Sequence, residues 1–174
     1  SKYRFTCPIA FDKAREVGWL GASDNLYYYD LKNKNVISCS SSESRFRVST
    51  KSEYLTSVFL STSGDIWMTG YAPVAVFRFI PETNKLTTKT REGLIEKFNP
   101  VTKAPVYVNQ FCEDAFHNLW APTEGGGLLF YNKAEDDFEA YVFRPENPQG
   151  IRYSSSINSA ALLYGGKIWL ATDM

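Results

Sequence analysis

The chain has 174 residues, of which 44% are hydrophobic and 22% are charged, proportions that are ordinary for a globular protein. Lys plus Arg and Asp plus Glu both number 19, so no clustered basic surface for nucleic acid or an anionic membrane is indicated. No run of about 18 apolar residues is present that could cross a membrane. The three cysteines, Cys7, Cys39 and Cys112, form no CxxC pair, so no metal site is predicted, and nothing else in the sequence predicts a cofactor.

A repeat of four predicted strands occupies approximately residues 5–40. An apolar strand at 9–12 is followed by a Trp-containing strand at 18–22, an aromatic strand at 26–30 and a last strand at 35–38. Polar turns separate these strands, and their residues tolerate positive φ or bond their own backbone. Aromatic residues make up 16% of the chain, which also favours sheet.

The same order of strands returns three more times along the chain. The further copies lie at approximately 54–90, 105–144 and 157–174, the last of them incomplete. The Trp strand marks each copy at intervals of 48, 53 and 49 residues, through Trp19, Trp67, Trp120 and Trp169. A period near 50 residues is typical of a four-stranded propeller blade. The sequence therefore predicts an all-β fold: a β-propeller fragment of about three and a half four-stranded blades, from a larger protein.

The repeated Trp has two interpretations. A large flat ring suits the wedge between stacked blades, which is the interpretation that the repeat favours. A row of carbohydrate-stacking tryptophans is the alternative. Under the first interpretation the four tryptophans are structural, and ligand specificity lies in the loops around them.

The third and fourth repeats resemble a known family. The segments at 110–114, 118–123 and 125–128 read as an apolar strand with Glu-Asp, then Asn-Leu-Trp-Ala-Pro-Thr, then Gly-Gly-Gly-Leu. This pattern is similar to the two-component regulator propeller repeat, as is the connector at 147–157. The first repeat also fits the family pattern, whereas the second lacks its glycine run.

The resemblance implies the periplasmic sensor domain of a hybrid two-component system of Bacteroidetes type. Such proteins carry seven-bladed propellers, a membrane helix and a histidine kinase, and they commonly sense oligosaccharides. By this resemblance we expect a periplasmic, membrane-anchored protein whose partners are an oligosaccharide ligand, its own remaining blades and sensor domains, and a second copy in a homodimer. No catalysis is expected in this segment.

Two other functions stay open at this point. Propeller lyases that act on antibiotics and polysaccharides share the Trp-strand pattern, so a propeller-type lyase or hydrolase fragment is one alternative. However, the only histidine, His117, lies in a predicted turn with no nucleophile beside it. A purely structural or dimerisation scaffold is the other alternative.

Three further motifs are interpreted as structural. Glycines at 125–127 precede a strand rather than the helix that a phosphate loop needs, so they indicate a tight turn. The acidic run at 135–137 lacks the alternating ligands of a calcium loop. Consecutive carboxylates at Glu113 and Asp114 point to opposite faces of a strand, and Asp114 is expected to bond its own turn.

A ligand is expected at the blade ends where the connectors enter each first strand and where the loops follow each Trp strand. Arg provides a planar donor fork and Tyr a flat face with a hydroxyl, both of which suit sugars. The longest connector, 91–105, contains a short segment of possible helix at 91–98. The candidate ligand-binding residues are Tyr71, Arg91, Glu124, Arg152 and Tyr153.

Overall fold

The computed structural model describes residues 9–51, 54–71, 74–98, 106–142, 156–163 and 167–172. The chain forms two compact units that divide between Thr90 and Arg91. Each unit is built from antiparallel sheets of consecutive strands, so the prediction of an all-β chain is confirmed, with one short helix added. None of the described residues belongs to a helix that is long and apolar enough to span a membrane.

The first unit contains two four-stranded sheets in simple chain order. The first sheet consists of β1 (Ala10–Asp12), β2 (Val17–Gly21), β3 (Leu26–Asp30) and β4 (Asn35–Ser38). The second consists of β5 (Leu55–Leu60), β6 (Ile66–Tyr71), β7 (Val74–Ile80) and β8 (Lys85–Thr90). In each sheet every strand pairs only with its neighbours in sequence, as a meander of hairpins requires.

The second unit begins with the helix α1 (Arg91–Phe98), at the position of possible helix in the sequence. Its main sheet consists of β9 (Tyr107–Val108), β10 (Cys112–Glu113), β11 (Leu119–Glu124), β12 (Leu128–Asn132) and β13 (Asp137–Tyr141). Both β9 and β10 pair with β11, so together they replace the single first strand of the other sheets. A last pair, β14 (Ile157–Leu163) and β15 (Lys167–Thr172), follows.

Trp19 lies where the first sheet packs against the second. Its side chain is fully buried, and its ring centroid is 6.1 Å from that of Phe79 in β7. Phe46, from the connector between the two sheets, packs against the same ring at a centroid distance of 4.8 Å and a tilt of 54°. The residues around it form one apolar core that both sheets supply.

The other tryptophans have different surroundings. Trp67 is 4% exposed, and the guanidinium of Arg78 lies 5.5 Å from its ring centre. Trp120 is partly buried among rings of its own sheet, 4.9 Å from Phe130. Trp169 in β15 is 64% exposed.

An aspartate holds the Trp ring in two of the sheets. Trp19 Nε1 donates to Asp12 Oδ2 at 3.2 Å, and Trp120 Nε1 donates to Asp114 Oδ2 at 3.0 Å. Asp114 also accepts the backbone N–H groups of Phe116 and Asn118, as the sequence predicted for its turn. One carboxylate therefore fixes both the turn and the orientation of the ring.

These contacts predict a pH-dependent contribution of Asp114 to stability. Burial raises the pKa of Asp114, but hydrogen bonds from Trp120, Asn118 and two backbone N–H groups outweigh it and hold the pKa below its ordinary value of 3.8. Because the folded-state pKa is depressed, the stabilisation is present above pH 3.8 and is lost as the pH falls through the lower folded-state value.

We therefore expect Asp114→Asn to lower the free energy of unfolding at neutral pH by about 1 to 2 kcal/mol. The same substitution should make the loss of stability from about pH 5 to about pH 2 shallower than in the wild type. Urea unfolding across this range measures both effects. An unchanged pH profile in the variant would show that Asp114 carries no such linkage.

Candidate functional site

The first strand of three sheets contains one residue more than the stretch it pairs with. In the second sheet, Leu55 pairs with Gly70 and Ser57 with Thr69, so Thr56 is extra. In the last pair, the same irregularity lies between Ile157 and Ser159. In the main sheet of the second unit, three residues (109–111) separate β9 from β10 opposite only two residues of β11. One of those two is Pro122, which has no N–H to donate to the ladder.

We call these three places the bulged ends. They comprise residues 54–56 with 70–71, residues 107–109 with 123–124, and residues 156–158 with 172. A β-bulge bends its strand and re-aims the side chains around it, and bulges concentrate beside functional sites. The recurrence at one position of the repeat indicates a built feature of each sheet.

Each bulged end has the same three-residue pattern in its first strand. A buried apolar residue stands in the middle: Leu55 at 0% exposure, Val108 at 7% and Ile157 at 0%. It is flanked on both sides by side chains that reach the surface at least in part. The flanking residues are Tyr54 and Thr56, Tyr107 and Asn109, and Ser156 and Asn158. The apolar residue anchors the strand while its neighbours remain accessible.

Two tyrosines meet at the bulged end of the first unit. The backbone N–H of Tyr71 donates to the carbonyl oxygen of Tyr54 at 2.9 Å. The Tyr71 side chain is 63% exposed and that of Tyr54 is 43% exposed. Beside them, the hydroxyls of Thr56 and Thr69 lie 2.7 Å apart across the bulge. This end offers two aromatic rings and a pair of hydroxyls.

The bulged ends of the second unit are joined to each other. Glu124, which is exposed, pairs with Tyr107 in the register of β11 and β9. Asn109 Nδ2 donates to the carbonyl oxygen of Ile157 at 3.0 Å, which links one bulged end to the next. A carboxylate, a phenol and an amide thus lie within one polar edge of this unit.

Comparisons with known proteins support the fold. No protein-family model matches the chain, and no curated protein sequence matches it. Among solved structures, the extracellular domain of a hybrid two-component system from B. thetaiotaomicron superimposes with a TM-score of 0.60 at 16% identity, covering 90% of this chain and 18% of that one. The WD40 repeats of RRP9 give a TM-score of 0.53 at 12% identity, covering 84% and 41%. The sheets are blades of a β-propeller.

A lyase shares the fold as well. A catalytically inactive histidine-to-alanine variant of virginiamycin B lyase from Staphylococcus aureus, in a structure with quinupristin, gives a TM-score of 0.65 at 13% identity. The alignment covers 98% of this chain and 49% of the lyase. The chain thus spans about half the length of the lyase and under a fifth of the two-component domain. The resemblance drawn from the repeats holds at the level of the fold.

Two of the predicted ligand-binding residues lie at bulged ends. Tyr71 ends β6 and Glu124 ends β11, each four positions after the Trp of its blade. Arg91 is the first residue of α1. Arg152 and Tyr153 lie outside the described residues.

The sequence analysis missed Tyr54 and Tyr107, which are the partners of Tyr71 and Glu124 across the bulges. Each precedes the apolar anchor of its first strand, a signal that a comparison of the repeats could have found. The sequence analysis also placed the connector that enters a first strand beside the loop that follows a Trp strand. This placement is confirmed in the first unit. There, Asn25 Nδ2 donates to the carbonyl oxygen of Val48 at 3.2 Å, and its Oδ1 accepts the N–H of Thr50.

A separate shallow cavity of about 430 Å³ opens on the connector after the first blade. Hydroxyl groups dominate its lining, and no acidic side chain contributes to it. It is lined by Cys39, Ser40, Ser41, Ser42, Arg47, Val48 and Ser49. This cavity was not predicted, because a run of serines gives no periodic signal.

The described part of the chain gives little support to a catalytic or a metal-binding site. His117 is exposed in a left-handed turn with φ 61°, and its carbonyl oxygen accepts Lys133 Nζ. Asp136 accepts the Tyr131 hydroxyl, and Asp137 pairs with Lys97, so the acidic run is engaged. No group of three metal-ligating side chains occurs among the described residues.

The two described cysteines carry no sign of reactivity. Burial raises the pKa of Cys39 far above its ordinary range. Burial, together with the charges of Asp114 and Glu113, raises the pKa of Cys112 to about 11. A thiol must ionise to act as a nucleophile, so both are disfavoured in that role at neutral pH.

Proposed function

We propose that this chain is an extracytoplasmic, ligand-sensing propeller of a hybrid two-component signalling protein, and that its ligand is an oligosaccharide. The observation that carries the proposal is the recurrence of the bulged ends, which present polar side chains and, in the first unit, the exposed Tyr54 and Tyr71. In the full-length protein, the blades would pass the signal through a membrane helix to a histidine kinase. The chain itself performs no chemistry.

The chemistry of the bulged ends supports a sugar ligand. Tyrosine presents a flat apolar face that stacks on a sugar ring and a hydroxyl that bonds its substituents. The Tyr54–Tyr71 pair supplies two such rings at one place in the first unit. Glu124, beside Tyr107, supplies a carboxylate that accepts hydrogen bonds from sugar hydroxyls. The fold that this chain shares with an extracellular domain of a hybrid two-component system supports the sensing role.

A lyase activity receives less support, because it would depend on a histidine. In virginiamycin B lyase, replacing one histidine with alanine gives a catalytically inactive enzyme, so that histidine is needed there. The one histidine of this chain, His117, sits in an exposed turn beside Lys133. Within the part of the chain that the structure describes, no nucleophile or carboxylate is hydrogen-bonded to its ring, whereas a general base requires both.

The proposal predicts the effect of removing one ring. We expect Tyr71→Ala to weaken oligosaccharide binding by roughly tenfold, because losing the apolar contact of one aromatic face costs on the order of 1.4 kcal/mol. Tyr71→Phe keeps the ring and should retain most of the affinity. Titration calorimetry with neutral and uronate-containing oligosaccharides measures the dissociation constants.

A matched control is available in Phe116→Ala, which removes a ring from the turn before β11 that is 79% exposed, against 63% for Tyr71. This variant should bind like the wild type. If no oligosaccharide of the panel binds or shifts the melting temperature, the sensing of glycans is wrong, because ligand at about 100 times its dissociation constant adds roughly 2.7 kcal/mol. Turnover of an oligosaccharide or of quinupristin would instead favour the lyase.

A further inference from the structure

The cavity on the connector after the first blade lies where that blade meets the second. Two stretches of the connector line it, residues 39–42 and residues 47–49. The backbone N–H of Val48 donates to the carbonyl oxygen of Cys39 at 3.1 Å, which joins the two stretches. Both residues are buried and form the floor of the cavity, whereas every other residue of its lining is polar.

Both blades hold the walls of this cavity in place. The backbone N–H of Arg47 donates at 2.7 Å to the side chain of Asn84, in the last turn of the second blade. On the side of the first blade, Asn25 Nδ2 donates to the carbonyl oxygen of Val48 at 3.2 Å. The cavity is therefore shaped before a ligand arrives, and such preorganisation lowers the cost of binding.

The guanidinium of Arg47 at the cavity has no acidic partner. Among the described residues it forms no ion pair, and its only hydrogen bond is a long one of 3.5 Å to the carbonyl oxygen of Ser42. Arg15 and Arg78 of the same unit each pair with an aspartate. Glu43 belongs to the connector but does not line the cavity. The positive charge of Arg47 is thus uncompensated, which favours an anion.

Two serines place further donors around this charge. Ser42 stands on the first stretch and Ser49 on the second. Within the part of the chain that the structure describes, neither the hydroxyl nor the backbone N–H of either serine donates a hydrogen bond. Donors on two walls with a guanidinium between them suit a tetrahedral oxyanion, whose oxygens point in several directions.

We propose that this cavity binds an oxyanion of the sulfate or phosphate class through the Arg47 guanidinium and the donors of Ser42 and Ser49. The planar fork of Arg47 takes two oxygens of the anion, and the serines take the others. The volume of about 430 Å³ lies in the range of small-molecule sites, so the same donors can hold a free ion or its ester on a sugar. The cavity is separate from the bulged ends, and the inference does not rest on the proposed function.

A two-dimensional NMR titration of the ¹⁵N-labelled chain with sodium sulfate, glucose 6-sulfate and glucose tests the proposal. Sodium chloride keeps the ionic strength constant, because exposed charges are screened by salt. The backbone signals of Ser42 and Ser49 and the Nε signal of Arg47 should shift saturably with both sulfate compounds and stay in place with glucose. Tighter binding of glucose 6-sulfate than of sulfate would identify the sugar ester as the preferred form, and equal binding would identify the free ion.

Three variants show whether Arg47 provides the site. Arg47→Ala should raise the dissociation constant for sulfate roughly tenfold or more, since it removes hydrogen bonds between charged groups. Arg47→Lys keeps the charge without the fork and should give an intermediate value. The matched control is Arg45→Ala, which removes the same charge two positions away, where the guanidinium lies 4.9 Å from the centre of the Phe46 ring and outside the cavity lining. It should bind like the wild type, and circular dichroism checks that each variant is folded.

Two results would overturn the oxyanion site. One is the absence of saturable shifts at Ser42 and Ser49 when the wild type is titrated with either sulfate compound. The other is an equal loss of affinity in Arg45→Ala and Arg47→Ala, because that would show attraction by net charge rather than by the cavity.

Discussion

Replacing Trp19 with alanine should lower the free energy of unfolding by about 3 to 5 kcal/mol, the largest effect expected from one side chain. The ring is fully buried between the first two blades and contacts Tyr28, Phe46 and Phe79. Its removal leaves a cavity and also takes the indole donor from the buried carboxylate of Asp12. Both losses act on the packing of one blade against the next.

Trp169→Ala is the matched control for this prediction. The same side chain is removed from the equivalent strand, but at 64% exposure, so the change should be within about 0.5 kcal/mol. Urea unfolding measures the free energy of unfolding of both variants. Equal losses for the two tryptophans would contradict a packing role that depends on burial.

Gly127→Ala should cost about 2 kcal/mol or more, because two penalties coincide at this residue. Its φ is 78°, a left-handed conformation that disfavours any side chain. A Cβ would also overlap the carbonyl oxygen of Tyr141 and approach Val142 Cα at 3.1 Å. That obstacle is backbone of the neighbouring strand, which cannot move aside without breaking the sheet.

Two other glycines distinguish the cost of a left-handed backbone from the cost of an obstructed Cβ. Gly64 has φ 88°, but its Cβ would meet the guanidinium of Arg15 at 3.0 Å rather than backbone, so Gly64→Ala should cost about 1 kcal/mol. Gly18 has ordinary backbone angles and no contact closer than 3.4 Å, so Gly18→Ala should be nearly neutral. The order of the three losses, measured by thermal unfolding, is the test. A Gly127 variant as stable as the Gly18 variant would show that the turn has room.

Much of the fold could be predicted from the sequence because the information is local. A turn rich in Gly, Asp or Asn, followed by a Trp strand and an aromatic strand, fixes the hairpins within each blade. The predicted strand at 26–30 and the helix at 91–98 coincide with β3 and α1. The tight turn at Gly127 was also predicted, from the glycine run and the strand that follows it.

What the sequence did not reveal depends on register or on distant contacts. The bulge at Thr56 follows from which residue of β6 faces which residue of β5, and alternation of apolar residues does not specify this. The break between β9 and β10 lies opposite Pro122 of β11, so the residue that interrupts the pairing belongs to the partner strand. Phe46 belongs to a connector with no strand pattern, yet its ring packs against Trp19. Tyr54 and Tyr107 became candidate ligand-binding residues only once the bulges were placed.

The most direct test of the whole account is a two-dimensional NMR titration of the ¹⁵N-labelled chain with the oligosaccharide that binds best in calorimetry. The account predicts that backbone signals of the bulged ends shift, led by Tyr54 and Tyr71, while the indole signals of Trp19 and Trp120 stay in place because Asp12 and Asp114 hold them. Shifts of those two indole signals, with unmoved bulged ends, would contradict the account, since they would make the repeated tryptophans the ligand contacts.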